Sequence, residues 1–245
     1  MTAVPEQSPS ALARDIEAWC RRGASFTAAA RVHRPSRFSA LLAAALPDCS
    51  GLTVCDAGSG AGLVSVAALE KGARHVIAQD HDPAALADTE RNVVGQLGTE
   101  TGGRLSLWRA DWTQLDVLCC DLLAVNPPQR PTRLLPEIAP GQRHLHEGGG
   151  ADGLHGLRLV LAHAAVTEVW TTASSLLGAW PAGLGGGRYG VPRLIAAAEL
   201  EHDPVWAPLA GELRAETGVW SFVRSSEGLV EGSSLVRGPY RGAQQ

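Results

Sequence analysis

Two stretches of the chain carry groups that could do chemistry together. The run Asp56-Ala57-Gly58-Ser59-Gly60-Ala61-Gly62 places a carboxylate at the end of an apolar strand, then glycines at every second position. Glycine at Gly58 and Gly60 lets the backbone turn tightly and lets a ligand approach with no side chain in between. Gly62 leaves room for the next helix to pack closely. Asp56 can organise this loop or receive a ligand's ammonium group. One helix and one strand later, Asp80 offers two carboxylate oxygens to the two hydroxyls of a ribose. Dinucleotide-binding proteins space their glycines as Gly-x-Gly-x-x-Gly. The alternation seen here, with an acid before it, suits a nucleoside carrying an amino acid. Asp111 and Trp112 follow a third strand and offer a polar partner for an adenine amino group and a face for its ring; Trp112 reads equally as a core aromatic.

The second stretch is Asn126-Pro127-Pro128-Gln129, directly after the apolar run Asp121–Val125. The Asn126 side-chain carbonyl and the Pro127 backbone carbonyl can each accept a hydrogen bond from an NH2 group. That leaves the nitrogen lone pair facing a third direction, where a methyl group on a sulfonium would wait. Such a methyl is already activated, so the protein supplies alignment and desolvation, not a strong base. The prolines stiffen the turn and remove competing donors. In isolation this turn would only end a strand; at the end of the fourth strand of a parallel sheet it reads as the reacting end. The candidate catalytic residues are therefore Asn126, Pro127 and Gln129. The candidate cofactor contacts are Asp56, Gly58, Gly60, Asp80, Asp111, Trp112 and Asn126. His144, His146 and His155 lie around a later glycine turn, but their spacing supports no metal site; one of them could relay the proton released on nitrogen methylation.

The elements that must position these residues follow from periodicity. Residues 1–10 read as a polar tail and Ala11–Ala30 as a helix; Ser36 caps a second helix ending at Leu46, before Pro47. Strands are expected at Leu52–Asp56, Val76–Asp80, Leu105–Arg109, Val117–Val125 and Glu168–Thr172. The intervening helices are Ala61–Glu70, Pro83–Leu97 and about Gly153–Val166. Such alternation predicts an α/β fold, a mostly parallel sheet with helices on both faces, whose ligands gather at the carboxyl ends of the strands. Residues 1–47 read as a tail and helical cap, and 48–245 as the ligand-binding domain. Val219–Val223 is a further strand candidate and Ser234–Arg237 a weaker one. The glycine-rich stretch Gly183–Gly190 reads as a surface loop, with a mobile lid as the alternative.

Composition bounds the rest. Of 245 residues, 45% are hydrophobic and 19% charged, which predicts a sizeable core rather than disorder. A net charge of −4 argues against a broad nucleic-acid-binding surface, leaving the arginines at 21, 22, 31, 34 and 37 as a solvated face or a local patch. The five cysteines are odd in number and form no Cys-x-x-Cys pair, which suits a reducing compartment. With no signal-peptide core near the start and no apolar run of about 20 residues, a cytoplasmic protein without membrane contact is expected. Lys71, the sole lysine, reads as compositional bias.

Over roughly residues 33–178 the chain resembles the class I S-adenosylmethionine-dependent methyltransferases, and within them the HemK-like protein-glutamine N-methyltransferases. The likeness rests on Asp56–Gly62, Asp80 with Pro83-Ala-Ala-Leu86, and Asn126-Pro-Pro. Gly149-Gly150-Ala-Asp152-Gly153 and His33-Arg34-Pro35 also take part. It implies that Asp56, Gly58 and Asp80 contact S-adenosyl-L-methionine, that Asp111 and Trp112 flank adenine, and that Asn126 and Pro127 hold the target nitrogen. Three departures stand out. Gln129 replaces the aromatic usual after Asn-Pro-Pro, Arg37-Phe38 replaces a Thr-Glu pair, and the N-terminal region is shorter than the family's release-factor-docking bundle. They shift the expected acceptor from a release factor toward a small-molecule or peptide-like nitrogen. Release-factor glutamine methylation, internal cyclisation of the cofactor with release of methylthioadenosine, and a non-catalytic binding module remain as alternatives.

Overall fold

The computed structural model describes residues 8–137, 148–178, 180, 184–202, 204–206 and 214–225. The expected tail residues 1–7, His144, His146, Gly183 and the weaker strand at Ser234–Arg237 lie outside them.

The chain opens with α1 (Pro9–Ala24) and α2 (Arg37–Ala45). It then alternates β1 (Thr53–Ala57), α3 (Leu63–Glu70), β2 (His75–Asp80), α4 (Pro83–Leu97), β3 (Leu105–Arg109), β4 (Leu122–Val125), α5 (His155–His163) and β5 (Glu168–Ser174), and closes with β6 (Arg193–Glu201) and β7 (Arg214–Val223). The seven strands make one sheet in the order β3-β2-β1-β4-β5-β7-β6. The first five are mutually parallel, whereas β7 runs antiparallel to both β5 and β6. The fold is thus the expected α/β sheet, with an antiparallel edge added.

Helices α1 to α4 cover one face. Leu12 and Ile16 of α1 and Leu41 and Leu42 of α2 share a buried core with Trp170 of β5 and Val219 of β7. The helices that the sequence separates as a cap therefore share their hydrophobic core with the sheet. On the other face, Leu157, Val160 and Leu161 of α5 pack with Leu123, Val169 and Phe222. Among the described residues, no helix is long and apolar enough to cross a membrane.

Several expected boundaries move, each for a local reason. Helix α1 stops at Ala24, because the following segment is held in irregular form by α4. There Asn92 accepts from Thr27 N at 2.9 Å and donates to Thr27 O at 2.8 Å, and Asp88 accepts from Ala29 N at 2.7 Å. Strand β4 begins at Leu122, not Val117: Trp112–Val117 forms a 3-10 turn capped by Asp111, and Val117 is 72% exposed. Helix α5 is shorter than expected at both ends. Strand β6 is not foreseen at all. Its Ala196-Ala197-Ala198-Glu199-Leu200 favours helix intrinsically, yet pairing along β7 holds it extended. Lys71 is more than composition: its ammonium donates to the carbonyls of Ala44, at 2.9 Å, and Leu46, closing the end of α2. Residues 184–190 are pinned by buried Tyr189, whose hydroxyl donates to Ala164 O and Val166 O at 3.1 Å each, while Gly190 N donates to Val223 O. These residues form an anchored loop.

Candidate functional site

Strand order reverses between β1 and β4, and ligands of open parallel sheets bind in the crevice at such a point. A cleft with about 460 Å³ of empty space, open to solvent, lies there. Asp56, Gly58, Gly60 and Asn126 line it together, beneath Arg34 and Pro35 from the segment before α2.

The glycine loop is built by its neighbours on β2. Gly58 N and Ser59 N donate to Gln79 O at 2.8 and 2.9 Å, and Gly58 N also reaches Gln79 Oε1 at 3.1 Å. Gln79 Nε2 donates in turn to Ala110 O at 2.5 Å, which ties the loop to the end of β3. Gly58, Gly60 and Gly62 have φ of 74, 53 and 87°, the left-handed region that glycine enters without strain. A Cβ on Gly62 would stand 3.0 Å from Thr89 of α4, so this glycine permits the close packing foreseen for it.

Asp80 is 7% exposed, and its two oxygens serve two turns. Oδ2 accepts from Gly60 N at 3.0 Å and Oδ1 from Asp82 N at 2.9 Å. Each carboxylate oxygen can accept more than one hydrogen bond, so capacity for ribose hydroxyls remains. Asp56 is 4% exposed and accepts from Ser65 Oγ at 2.6 Å. Burial pushes its carboxyl up to about 6 against the opposing effect of Ser65, and the charge of Asp80 adds to the rise.

Trp112 lies against the glycine loop. A Cβ on Gly58 would come within 3.1 Å of its indole, and one on Gly156 within 2.8 Å of the indole and 3.3 Å of Pro127. The ring therefore stands between the two glycines, close to Pro127. Asp111 is exposed and spends its carboxylate on capping: Oδ1 accepts from Thr113 N at 2.7 Å and from the Thr113 hydroxyl. These bonds hold its carboxyl below the ordinary range.

At the reacting end, Gln129 departs from the expectation that its amide faces an acceptor. It is 7% exposed, and both ends of its amide are spent on β5. Oε1 accepts from Ser174 N at 3.1 Å, and Nε2 donates to Thr172 O at 3.1 Å and Thr172 Oγ1 at 3.0 Å. The Thr172 hydroxyl then donates to Asn126 Oδ1 at 2.6 Å. The polarity of this chain follows from its start. A backbone N–H can only donate, so Ser174 fixes the Gln129 amide; Gln129 then makes Thr172 Oγ1 an acceptor whose own proton goes to Asn126 Oδ1. One lone pair on Asn126 Oδ1 is left for another donor. The loop is also braced from behind. A Cβ on Gly149 would meet Arg130 O at 2.2 Å and one on Gly153 would meet Gln129 O at 2.3 Å, so only glycine lets the 148–153 turn press on this backbone.

The sequence thus brings Asp56, Gly58, Gly60 and Asn126 to one cleft, with Asp80 bonded into its loop and Trp112 and Pro127 packed alongside. The Gln129 amide is spent on β5, and Oδ1 of exposed Asp111 caps the turn that follows it. Gln79 and Thr172 escape the sequence reading; polar residues at the carboxyl ends of otherwise apolar strands were the available signal.

Residues 40–127 match the family described as ribosomal protein L11 methyltransferase. A protein of that name from Enterobacter sp. is 34% identical over 131 residues, covering 51% of this chain and 41% of that protein. The chain therefore spans well under half of that relative. A solved protein from Thermoplasma acidophilum has a TM-score of 0.53 at 16% identity, with 86% of this chain and 98% of that one covered. The E. cuniculi Mtq2–Trm112 complex, responsible for methylation of the eRF1 translation termination factor, gives 0.50 at 18% identity, covering 80% of this chain and 99% of the matched one. The fold is that of the Rossmann-like methyltransferases. The family matched is not the protein-glutamine family that the motifs resemble.

Proposed function

We propose that this protein is an S-adenosyl-L-methionine-dependent methyltransferase acting on a nitrogen of a peptide-like acceptor. The observation that carries the reading is one cleft lined jointly by Asp56, the glycine loop and Asn126. The residues present fit the cofactor. Left-handed glycines carry the tight turn with no side chain on it, Asp80 keeps acceptor capacity for a ribose, and Asp56 offers a buried carboxylate to an ammonium. When bound, the cofactor supplies a methyl group on positively charged sulfur.

The chain's own residues do the rest. Asn126 Oδ1, with one lone pair spent on Thr172, accepts one N–H of the acceptor, and the Pro127 carbonyl accepts another. A nitrogen held in this way would turn its lone pair to the methyl group that the cofactor would supply, and would give up its proton to water. Alignment of this kind supplies most of what an activated methyl needs. The relatives' name, ribosomal protein L11 methyltransferase, supports a peptide-like nitrogen over a free metabolite.

The test is incubation of the full chain with methyl-labelled S-adenosylmethionine and ribosomal protein L11, alongside a release factor and small amines and amides. Label on a nitrogen with release of S-adenosylhomocysteine supports the reading, and the acceptor labelled identifies the substrate class. Methylthioadenosine as sole product, or cofactor binding without turnover, overturns it.

A further inference from the structure

A second cleft, with about 380 Å³ of empty space, lies one strand beyond the first, where the carboxyl end of β5 meets β7. Leu154, Leu177, Trp180, Glu216, Gly218 and Trp220 are among its lining residues. The Trp180 and Trp220 rings meet edge to face, with centroids 5.4 Å apart and planes at 82°. Trp180 meets Phe222 in the same way, at 5.5 Å and 88°. A Cβ on Gly218 would stand 2.6 Å from Trp220 Nε1, so the glycine makes room for that indole along β7. Glu216 is exposed at the mouth and lies opposite Glu199 in the β6–β7 register, so two carboxylates share this face of the sheet.

The cleft is joined to the reacting end. Ser174, in its wall, donates its N–H to Gln129, and a Cβ on Gly153 would touch both Leu177, at 2.6 Å, and Gln129 O. Indole rings with a carboxylate at the mouth attract organic cations, through the ring quadrupole and through charge. A neutral apolar group gains nothing from Glu216.

We propose that this second cleft binds an organic cation, an alkylammonium or a guanidinium, carried by the acceptor beside its target nitrogen. That it serves the acceptor rests on the methyltransferase reading; binding of the cation does not. The subsite selects acceptors in which a positive group flanks the nitrogen held at Asn126.

Choline, arginine amide and 3,3-dimethylbutan-1-ol, the uncharged isostere of choline, test this on the full chain. The readout is the Trp220 indole N–H resonance, assigned with Trp220→Phe. S-Adenosylhomocysteine is titrated in parallel. A saturable shift is expected with choline or arginine amide, and the stronger of the two names the cation. The neutral isostere should bind about tenfold more weakly. Glu216→Gln should weaken the cation about threefold, as for an exposed charge contact, and Glu216→Lys should abolish binding. Equal binding of the isostere, no shift with either cation, or indifference to Glu216→Lys overturns the proposal. Cation binding without S-adenosylhomocysteine binding would uphold the cation site and sink the methyltransferase reading; the converse result would do the reverse.

Discussion

The two halves of the sheet are built on different principles. On the β1–β2–β3 side the cleft is walled by a glycine loop, set by left-handed φ angles and clamped by Gln79 and Asp80. On the β4–β5–β7 side stand side chains, set by a hydrogen-bond chain from Ser174 to Asn126 and by two indoles. The match to the L11 methyltransferase family runs from 40 to 127 and ends inside the Asn126-Pro127-Pro128 turn, at the seam between the two. The glycine loop lies inside that match, whereas Thr172, Ser174 and both indoles lie outside it. The difference teaches where specificity is to be sought.

Perturbing one half should leave the other working. The largest effect is expected from Asn126→Ala, which should lower turnover by about a hundred- to a thousandfold, the scale of losing one aligned hydrogen-bonding group. S-Adenosylhomocysteine affinity, by calorimetry, should stay within about threefold. Asp80→Ala should do the opposite, weakening cofactor binding about a hundredfold, because two loop N–H groups and the ribose lose a charged acceptor together. Equal loss of cofactor binding in both variants would break the comparison.

Thr172→Val should lower kcat by about tenfold while the cofactor's KM holds, since the hydroxyl reaches the cleft through Asn126. Thr172→Ser should restore it; a parallel fall in melting temperature with no kcat effect would make Thr172 merely structural.

The smallest effect concerns Asp56. Its folded-state value of about 6 lies above the ordinary carboxyl value near 3.9. The folded state therefore binds the extra proton between those values, and the stability this contributes is full below about pH 4 and lost as pH rises through about 6. Without cofactor, Asp56→Asn should melt a few degrees above the wild type at pH 7 and lose this pH dependence. S-Adenosylmethionine, through its ammonium, should bind the wild type more tightly above pH 6 than below it. Melting curves and titrations across pH 5–8 check both.

The same division governs what the sequence discloses. Pro83–Leu97 and Leu105–Arg109 are found with the expected ends, because Asp82 and Pro83 start α4 and Gly98 stops it within a few residues of chain. The turn at Gly58 and Gly60 is legible because left-handed backbone is written in glycines. Strand β6 is not, since its alanines favour helix and only β7 keeps them extended. Gln129 misleads for a related reason. Its amide suits an acceptor equally well in isolation, and its true partners, Thr172 and Ser174, lie more than forty residues away. Short-range pattern reports the glycine turn, and long-range pairing decides the acceptor side.

A crystal structure of the full chain with S-adenosylhomocysteine tests the central claim most directly. The account predicts the ribose hydroxyls on Asp80, the amino group toward Asp56, and the sulfur facing the Asn126 amide across the cleft. A ligand seated away from Asp80, or an Asn126 amide turned from the sulfur, would contradict it.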